Sequence, residues 1–308
     1  MPEGDTVLRT ARRLDQALTG AVVLHADLRW PGLSEVDLAG RTVLGTVAYG
    51  KHLLTRFGPE PDGGGSRIPT APPGPLTLHS HLKMEGRWAI EPPGRSVPSG
   101  GVRVRAVIAT AEWTAVATWL GQLDLVPTER EHELIGHLGP DIMVDDFLPG
   151  GLADAVARIL ARPDREIGAA LLDQTNVAGI GTMYMAESLF LQKVSPWTPT
   201  AELGADGVAA ALERARRLLL NGATSATPTT TGDQRRGHEV WVHARSGRTC
   251  HRCGTVVRVA TIGDPTRERT AFWCPSCQPG PTPTDNGRPQ APLGSSPRRS
   301  ATGYRRRR

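Results

Sequence analysis

A chain of 308 residues suits two modest domains plus extras, each long enough to bury a core. Its net charge of +5 points to a polyanionic partner, but seven arginines against the single acid Asp285 put +6 into residues 279–308 and leave −1 for the rest. Any anion-binding surface on the body is therefore a local patch. A spanning helix is excluded, because no apolar run reaches the roughly 18 residues it needs, and the start MPEGDTVLRT lacks the basic-then-apolar order of a secretion signal, so a cytoplasmic location is expected.

In chain order, Asp5 is expected to cap a helix from Thr6 to Leu18, with Val7, Leu8, Ala11, Leu14, Ala17 and Leu18 on one apolar face and Gly20 ending it. Strand-like stretches follow at 21–29, 41–57, 75–90, 102–109 and 113–120, several alternating as in Arg103-Val104-Arg105-Ala106-Val107. Gly58 to Pro75, rich in Gly and Pro, reads as a surface loop. This half is expected to be a β-sandwich with a helix at its start. Beyond residue 130 the apolar spacing turns helical at 151–162, 167–174, 182–191 and 206–221, and Ala223 to Gly237 reads as a polar loop. An all-β half before an all-α half implies two domains with a cleft between them.

The four cysteines form one arrangement: Cys250-x2-Cys253, then twenty residues, then Cys274-x2-Cys277. Two tight turns that each present a pair of sulfurs make a tetrahedral thiolate cage for one structural zinc ion, a ribbon with no open coordination position for chemistry. Two disulfides would suit the spacing but not a cytosolic chain. Eight arginines against three acids make residues 235–278 basic. Arg267 and Arg269 on its hairpin either reach phosphate or keep an exposed hairpin soluble. The tail from 280 on, PTPTDNGRPQAPLGSSPRRSATGYRRRR after Gly280, is too poor in apolar residues to pack and is expected to be disordered. It would serve non-specific polyanion affinity or a protein contact.

Removal of Met1 before a small residue would leave Pro2 with a free secondary amine. Such an α-amine has a reference pKa near ~8, so much of it is neutral nucleophile at physiological pH. Attack on an aldehyde-like carbon gives an iminium that must stay cationic, and Glu3 beside it is suited to proton transfer. Alone, Met-Pro-Glu is an ordinary start. It is followed, in order, by Tyr49-Gly50-Lys51-His52-Leu53-Leu54, His79-Ser80-His81-Leu82-Lys83-Met84-Glu85-Gly86 and His137-Leu138-Gly139-Pro140-Asp141. Asp173-Gln174, Asn176-Val177-Ala178-Gly179-Ile180-Gly181, Glu187-Ser188-Leu189-Phe190 and Arg269-x4-Cys274-Pro275-x-Cys277-Gln278 complete the set.

This ordered set resembles the formamidopyrimidine-DNA glycosylase and endonuclease VIII family over residues 2–278. The resemblance implies a β-sandwich catalytic domain over 1–125, a helix–two-turns–helix domain over 130–237, a zinc-finger ribbon over 238–279 and the tail over 280–308. It implies that Pro2 attacks C1′ of a damaged nucleotide, that Glu3 is the acid/base at the sugar, and that Lys51 and Arg269 hold phosphates beside the lesion. Gly179, Gly181 and Thr182 would bind phosphate at a helix start, with Arg267 helping on the hairpin. Met84 would wedge into the duplex where the base has left. The pattern departs at Thr6, where the family usually has glutamate, and at Thr182, where it usually has asparagine. The family's Arg-Phe-Gly segment is replaced near 118–128 by Trp119-Leu120-Gly121-Gln122-Leu123-Asp124, and the loop at 223–237 is short. Both point to oxidised pyrimidines as substrates. The alternatives are an oxidised-purine glycosylase of the same family and a catalytically silent damage binder, and a monomer acting near the nucleoid is expected.

Overall fold

The computed structural model describes residues 2–61, 72–94, 103–225 and 227–283. Most of the expected loop at 58–75 and nearly all of the expected tail lie outside the described residues. The chain opens with helix α1 (Gly4–Leu18), starting two residues before the expected position. Glu3, not Asp5, is its N-cap residue. Asp5 lies inside the first turn, buried, and its carboxylate accepts the Tyr184 hydroxyl at 2.9 Å. Tertiary contact has taken a side chain that its neighbours in sequence would leave for capping.

Two four-stranded antiparallel sheets follow. One has the order β1 (His25–Leu28), β6 (Val104–Ala109), β7 (Thr114–Thr118), β5 (Arg87–Glu91). The other runs β2 (Val43–Tyr49), β3 (His52–Phe57), β4 (Leu76–His81), β8 (Gln122–Pro127). The expected strand at 41–57 is thus a hairpin, folded back where Gly50 adopts φ 56° and its missing side chain lets Ala178 come close. The expected strand at 75–90 is divided between the two sheets by a turn at Leu82–Gly86, in which Lys83 takes φ 53°. Strand β8 was not expected, and it extends past residue 125. The apolar face of α1 (Val7, Ala11, Leu14, Leu18) packs with Leu28, Leu53, Phe57, Leu78, Trp88, Ile108 and Leu123 in one core.

The second half begins with α2 (His132–Ile135), α3 (Gly151–Leu160), α4 (Ile167–Leu172) and α5 (Thr182–Gln192). Helix α6 spans Thr200–Thr224 with a break at Gly204, longer at both ends than the expected 206–221. Strands β9 (Arg258–Ile262) and β10 (Arg269–Trp273) make the hairpin between the cysteine pairs. The hairpin has no core of its own. Val259, Phe272, Trp273, Cys250 and Cys274 share one apolar cluster with Tyr184, Leu189, Phe190, Trp197 and Leu212 of the helical half. Among the described residues, no helix is long and apolar enough to cross a membrane.

Candidate active site

The site is built where the start of the chain meets the start of α5. Backbone N–H of Gly4 donates to the Gly179 carbonyl at 3.0 Å, and a side chain at Gly4 would crowd that carbonyl. This fixes Glu3 so that its side chain crosses to the helix start. The carboxylate accepts backbone N–H groups of Gly181 at 2.9 Å, Met183 at 2.8 Å and Tyr184 at 3.3 Å. Only 1% of Glu3 is exposed. A helix N-terminus presents unpaired donors and positive potential, so it suits a carboxylate. Burial pushes the Glu3 pKa up, while Lys51 and the N–H groups of Met183 and Tyr184 oppose the rise. Pro2, half-buried, precedes this anchored residue.

Lys51 sits in the turn between β2 and β3, and its ammonium donates to the Ile180 carbonyl. Burial lowers its pKa, Glu3 raises it, and the charge of Arg269 lowers it further. The strand hairpin of the first half, the chain start and the ribbon thus converge on one electrostatic cluster. Arg269 is the first residue of β10 and exposed, with its guanidinium on the carbonyls of Arg267 and Glu268 at 3.3 and 3.2 Å. Arg267 is exposed on the same hairpin. Thr182 is the first residue of α5 and half-buried. Met84 is 65% exposed in the Leu82–Gly86 turn.

One expectation needs correction. The N–H groups of Gly179 and Gly181 do not stand open to a phosphate. Gly179 donates to the Gln174 side chain at 3.1 Å and Gly181 to Glu3 at 2.9 Å. The glycines serve close packing instead: Gly179 adopts φ 112°, and a Cβ at Gly181 would fall 2.3 Å from the Glu3 carboxyl carbon.

Three further residues carry the site without an expected role. Gln174 braces the turn before α5, donating to the Ile180 carbonyl at 3.0 Å while accepting from Gly179. Tyr184, held by Asp5, ties α5 to α1. Glu187, fully buried, accepts backbone N–H groups of Trp241 and Val242 at 2.8 Å and of His243 at 2.9 Å, as well as the Thr230 hydroxyl. Burial raises its pKa and these donors oppose the rise. Glu187 therefore pins the segment leading into the ribbon onto α5. Gln174 and Glu187 both fall in the ordered motifs, which was the one signal available.

The four cysteine sulfurs lie within 4.8 Å of one another and none is in a disulfide. Cys253 and Cys274 are 3.4 Å apart, and Cys250 and Cys277 4.0 Å. A tetrahedral ion with Zn–S bonds of about 2.3 Å needs sulfur separations of about 3.8 Å, so the group fits a metal ion.

A β-sandwich and a helical half joined over a buried glutamate, with a cysteine-bound ribbon beside them, define a DNA-repair glycosylase fold. Residues 1–117 match the formamidopyrimidine-DNA glycosylase N-terminal domain and residues 138–233 match the formamidopyrimidine-DNA glycosylase H2TH domain. The chain belongs to the formamidopyrimidine-DNA glycosylase family, as an endonuclease 8-like member. It is 44% identical to the probable endonuclease 8 2 of Streptomyces coelicolor, over 97% of this chain and all of that one. It is 37% identical to the DNA-(apurinic or apyrimidinic site) lyase Nei2 of Mycolicibacterium smegmatis, over 90% of this chain and 99% of the relative. The Lactococcus lactis formamidopyrimidine-DNA glycosylase bound to DNA containing an AP site has the same fold, with a TM-score of 0.68 at 21% identity, covering 91% of this chain and all of that one.

Proposed function

We propose that this protein is a bifunctional DNA glycosylase and AP lyase of base excision repair that removes oxidised pyrimidines through the amine of Pro2. The observation that carries the reading is the burial of Glu3 against the start of α5, immediately after Pro2 and within the field of Lys51. Once Met1 is removed, an α-amine whose reference pKa is near ~8 leaves much of Pro2 as the neutral nucleophile at physiological pH.

In this mechanism the Pro2 nitrogen bonds to C1′ and the C1′–base bond breaks, its electron pair leaving with the base. The Pro2 nitrogen then loses its proton and the sugar ring opens at its oxygen, which Glu3 protonates, giving a Pro2–C1′ iminium. The iminium acidifies C2′. Loss of that proton expels the 3′ phosphate, and a second elimination expels the 5′ phosphate. Lys51 and Arg269 hold the flanking phosphates, with Arg267 and Thr182 as outer contacts. Met84, exposed on its turn, fills the gap left by the everted base. The absence of an Arg-Phe-Gly segment and the run of α6 to Thr224, which shortens the loop behind it, support pyrimidine substrates.

The four cysteines would hold one zinc ion. With every coordination position taken by sulfur, it supplies structure, fixing the hairpin that carries Arg267 and Arg269. We place the enzyme in the cytoplasm at the nucleoid, acting as a monomer, with the basic tail open to a repair-protein contact.

The test is borohydride reduction of Met1-processed protein with duplexes carrying an abasic site, 5-hydroxyuracil or 8-oxoguanine. A covalent adduct, strongest with 5-hydroxyuracil among the bases and absent in Pro2→Gly, is the expected result. Stronger trapping on 8-oxoguanine would move the enzyme to oxidised purines. No adduct at all, with Met1 removed and zinc bound, would leave only a damage-binding protein.

A further inference from the structure

Asp5 and Arg9 stand one turn apart on α1, acid before base, the spacing and order that favour an ion pair along a helix. They do not bond each other. The Arg9 guanidinium donates instead to the carbonyls of Gly222 at 3.2 Å and Ser225 at 2.6 Å, where it meets the negative end of α6. Asp5 is left with one neutral donor, the Tyr184 hydroxyl at 2.9 Å, and among the described residues no cation bonds it.

That is a poor provision for a carboxylate that is only 2% exposed. Glu3 and Glu187, equally buried, are each met by three backbone N–H groups. The surroundings of Asp5 tie it to Glu3. Tyr184 gives its hydroxyl to Asp5 and its backbone N–H to Glu3 at 3.3 Å, so one residue of α5 holds both carboxylates. Gly222 lets α6 close over them: a Cβ there would fall 2.1 Å from the Tyr184 hydroxyl and 2.9 Å from Asp5 Oδ2. With both acids out of water, little solvent screens one from the other.

The groups facing Glu3 divide by element. Burial is the main cause that keeps a proton on Glu3, and Lys51 from the β2–β3 turn opposes it, with the N–H groups of Met183 and Tyr184 from α5. Asp5 from α1 acts on the side of burial. Arg269 of β10 acts on Lys51, and Arg9 is committed to α6. Burial and then the Asp5 charge push the Tyr184 hydroxyl up, so it remains a neutral donor.

We propose that Asp5 is a positioning residue for base release: its uncompensated charge, sealed under α6, offsets Lys51 and keeps on Glu3 the proton that the sugar ring oxygen receives. In that step the proton leaves the Glu3 carboxyl, an O–H bond forms at the ring oxygen, and Asp5 gains and loses nothing. The diversion of Arg9 to α6 is what leaves the charge of Asp5 in force. This rests on the glycosylase reading above.

The experiment is single-turnover base release from duplexes carrying 5-hydroxyuracil or 8-oxoguanine, from pH 5.5 to 9.5, beside nicking of a preformed abasic site over the same range. Wild-type base release should fall on the alkaline side as Glu3 loses its proton. Asp5→Asn keeps an acceptor for Tyr184 and removes the charge. Its alkaline limb should move about half a unit to lower pH, roughly a threefold loss of rate on that limb with little change at the plateau. Nicking of the abasic site, which needs no base to leave, should keep the wild-type profile. Asp206→Asn, exposed on α6, should change neither reaction. An unmoved limb in Asp5→Asn, or nicking shifted as far as base release, overturns the proposal and leaves the glycosylase reading standing. If Asp5→Asn does not fold, carbon NMR of the wild-type Glu3 carboxyl decides. A group still partly protonated at pH 7 is expected, and one wholly ionised there has no proton for Asp5 to hold, which overturns the proposal. Release of neither base by the wild type at any pH would take down the glycosylase reading itself.

Discussion

The Glu3 carboxylate accepts the backbone N–H of Met183 at 2.8 Å, joining residues 180 positions apart into one wall of the candidate site. The same carboxylate that meets the start of α5 is thereby held beside Pro2, the proposed nucleophile. Glu3→Gln should keep the fold but replace a charged acceptor by an amide that cannot serve three N–H donors as well. Base release in single turnover is expected to slow by about 10²–10⁴, the range for loss of a positioned acid/base. A rate within threefold of wild type would remove Glu3 from the chemistry.

Gly181→Ala tests the same geometry from the other side. Its Cβ would fall 2.3 Å from the Glu3 carboxyl carbon, too close to be absorbed without moving Glu3. Activity should fall with bound zinc unchanged. If base release is unaltered, the placement of Glu3 is not what matters.

The sequence makes local patterns legible and long-range closures illegible. The apolar stripe of α1 and the paired cysteines are read within a few residues, and the structure gathers both, except that Leu8 of the stripe packs on the core of the helical half. The hairpin at 41–57 looks continuous because its turn depends on the φ of Gly50, chosen by the approach of Ala178 from the other half. The turn that divides 75–90 carries Lys83 rather than Gly or Asn in the left-handed region, so it has no turn signature. Asp5 looks like a cap because nothing near it in sequence announces Tyr184. Gly179 and Gly181 look like phosphate donors because the partners that use their N–H groups, Gln174 and Glu3, are recognisable only once folded.

Glu187 anchors the ribbon lead-in through three backbone donors and a hydroxyl. Glu187→Ala should strand those donors and cost on the order of 3 kcal/mol or more in urea unfolding. Glu187→Gln keeps one acceptor oxygen and should cost less. Equal stability of all three proteins would show that the anchor carries no weight.

Zinc removal should reach beyond the ribbon. Because Cys250, Cys274, Phe272 and Trp273 share a core with α5 and α6, loosening the cysteines exposes apolar surface of the helical half. Chelator treatment or Cys253→Ala is expected to lower Tm by on the order of 10 °C and to abolish trapping on an abasic site. Metal analysis should find one zinc per chain. An unchanged Tm after confirmed metal loss would make the ion dispensable to the fold.

The last prediction concerns pH and His243. Burial holds its imidazole down to about 4, its Nδ1 is buried without a partner, and its ring lies edge-on to Phe272 with centroids 5.2 Å apart. An unfolded histidine titrates near 6.5, so between about 6.5 and 4 the unfolded chain binds more protons at this position than the folded one. The stability contributed by this group is therefore complete above 6.5 and is lost as pH falls through that window; His52 and His81 act in the same direction. Acid also weakens thiolate–metal bonds, so the wild-type curve alone would mix two causes. His243→Phe separates them, since it keeps the ring contact and removes the titrating group. Urea unfolding at pH 7.5 and 4.5 should show the variant gaining about 2 kcal/mol on the wild type at the lower pH. Parallel curves would mean that His243 is protonated in the fold, and the buried Nδ1 would need a partner.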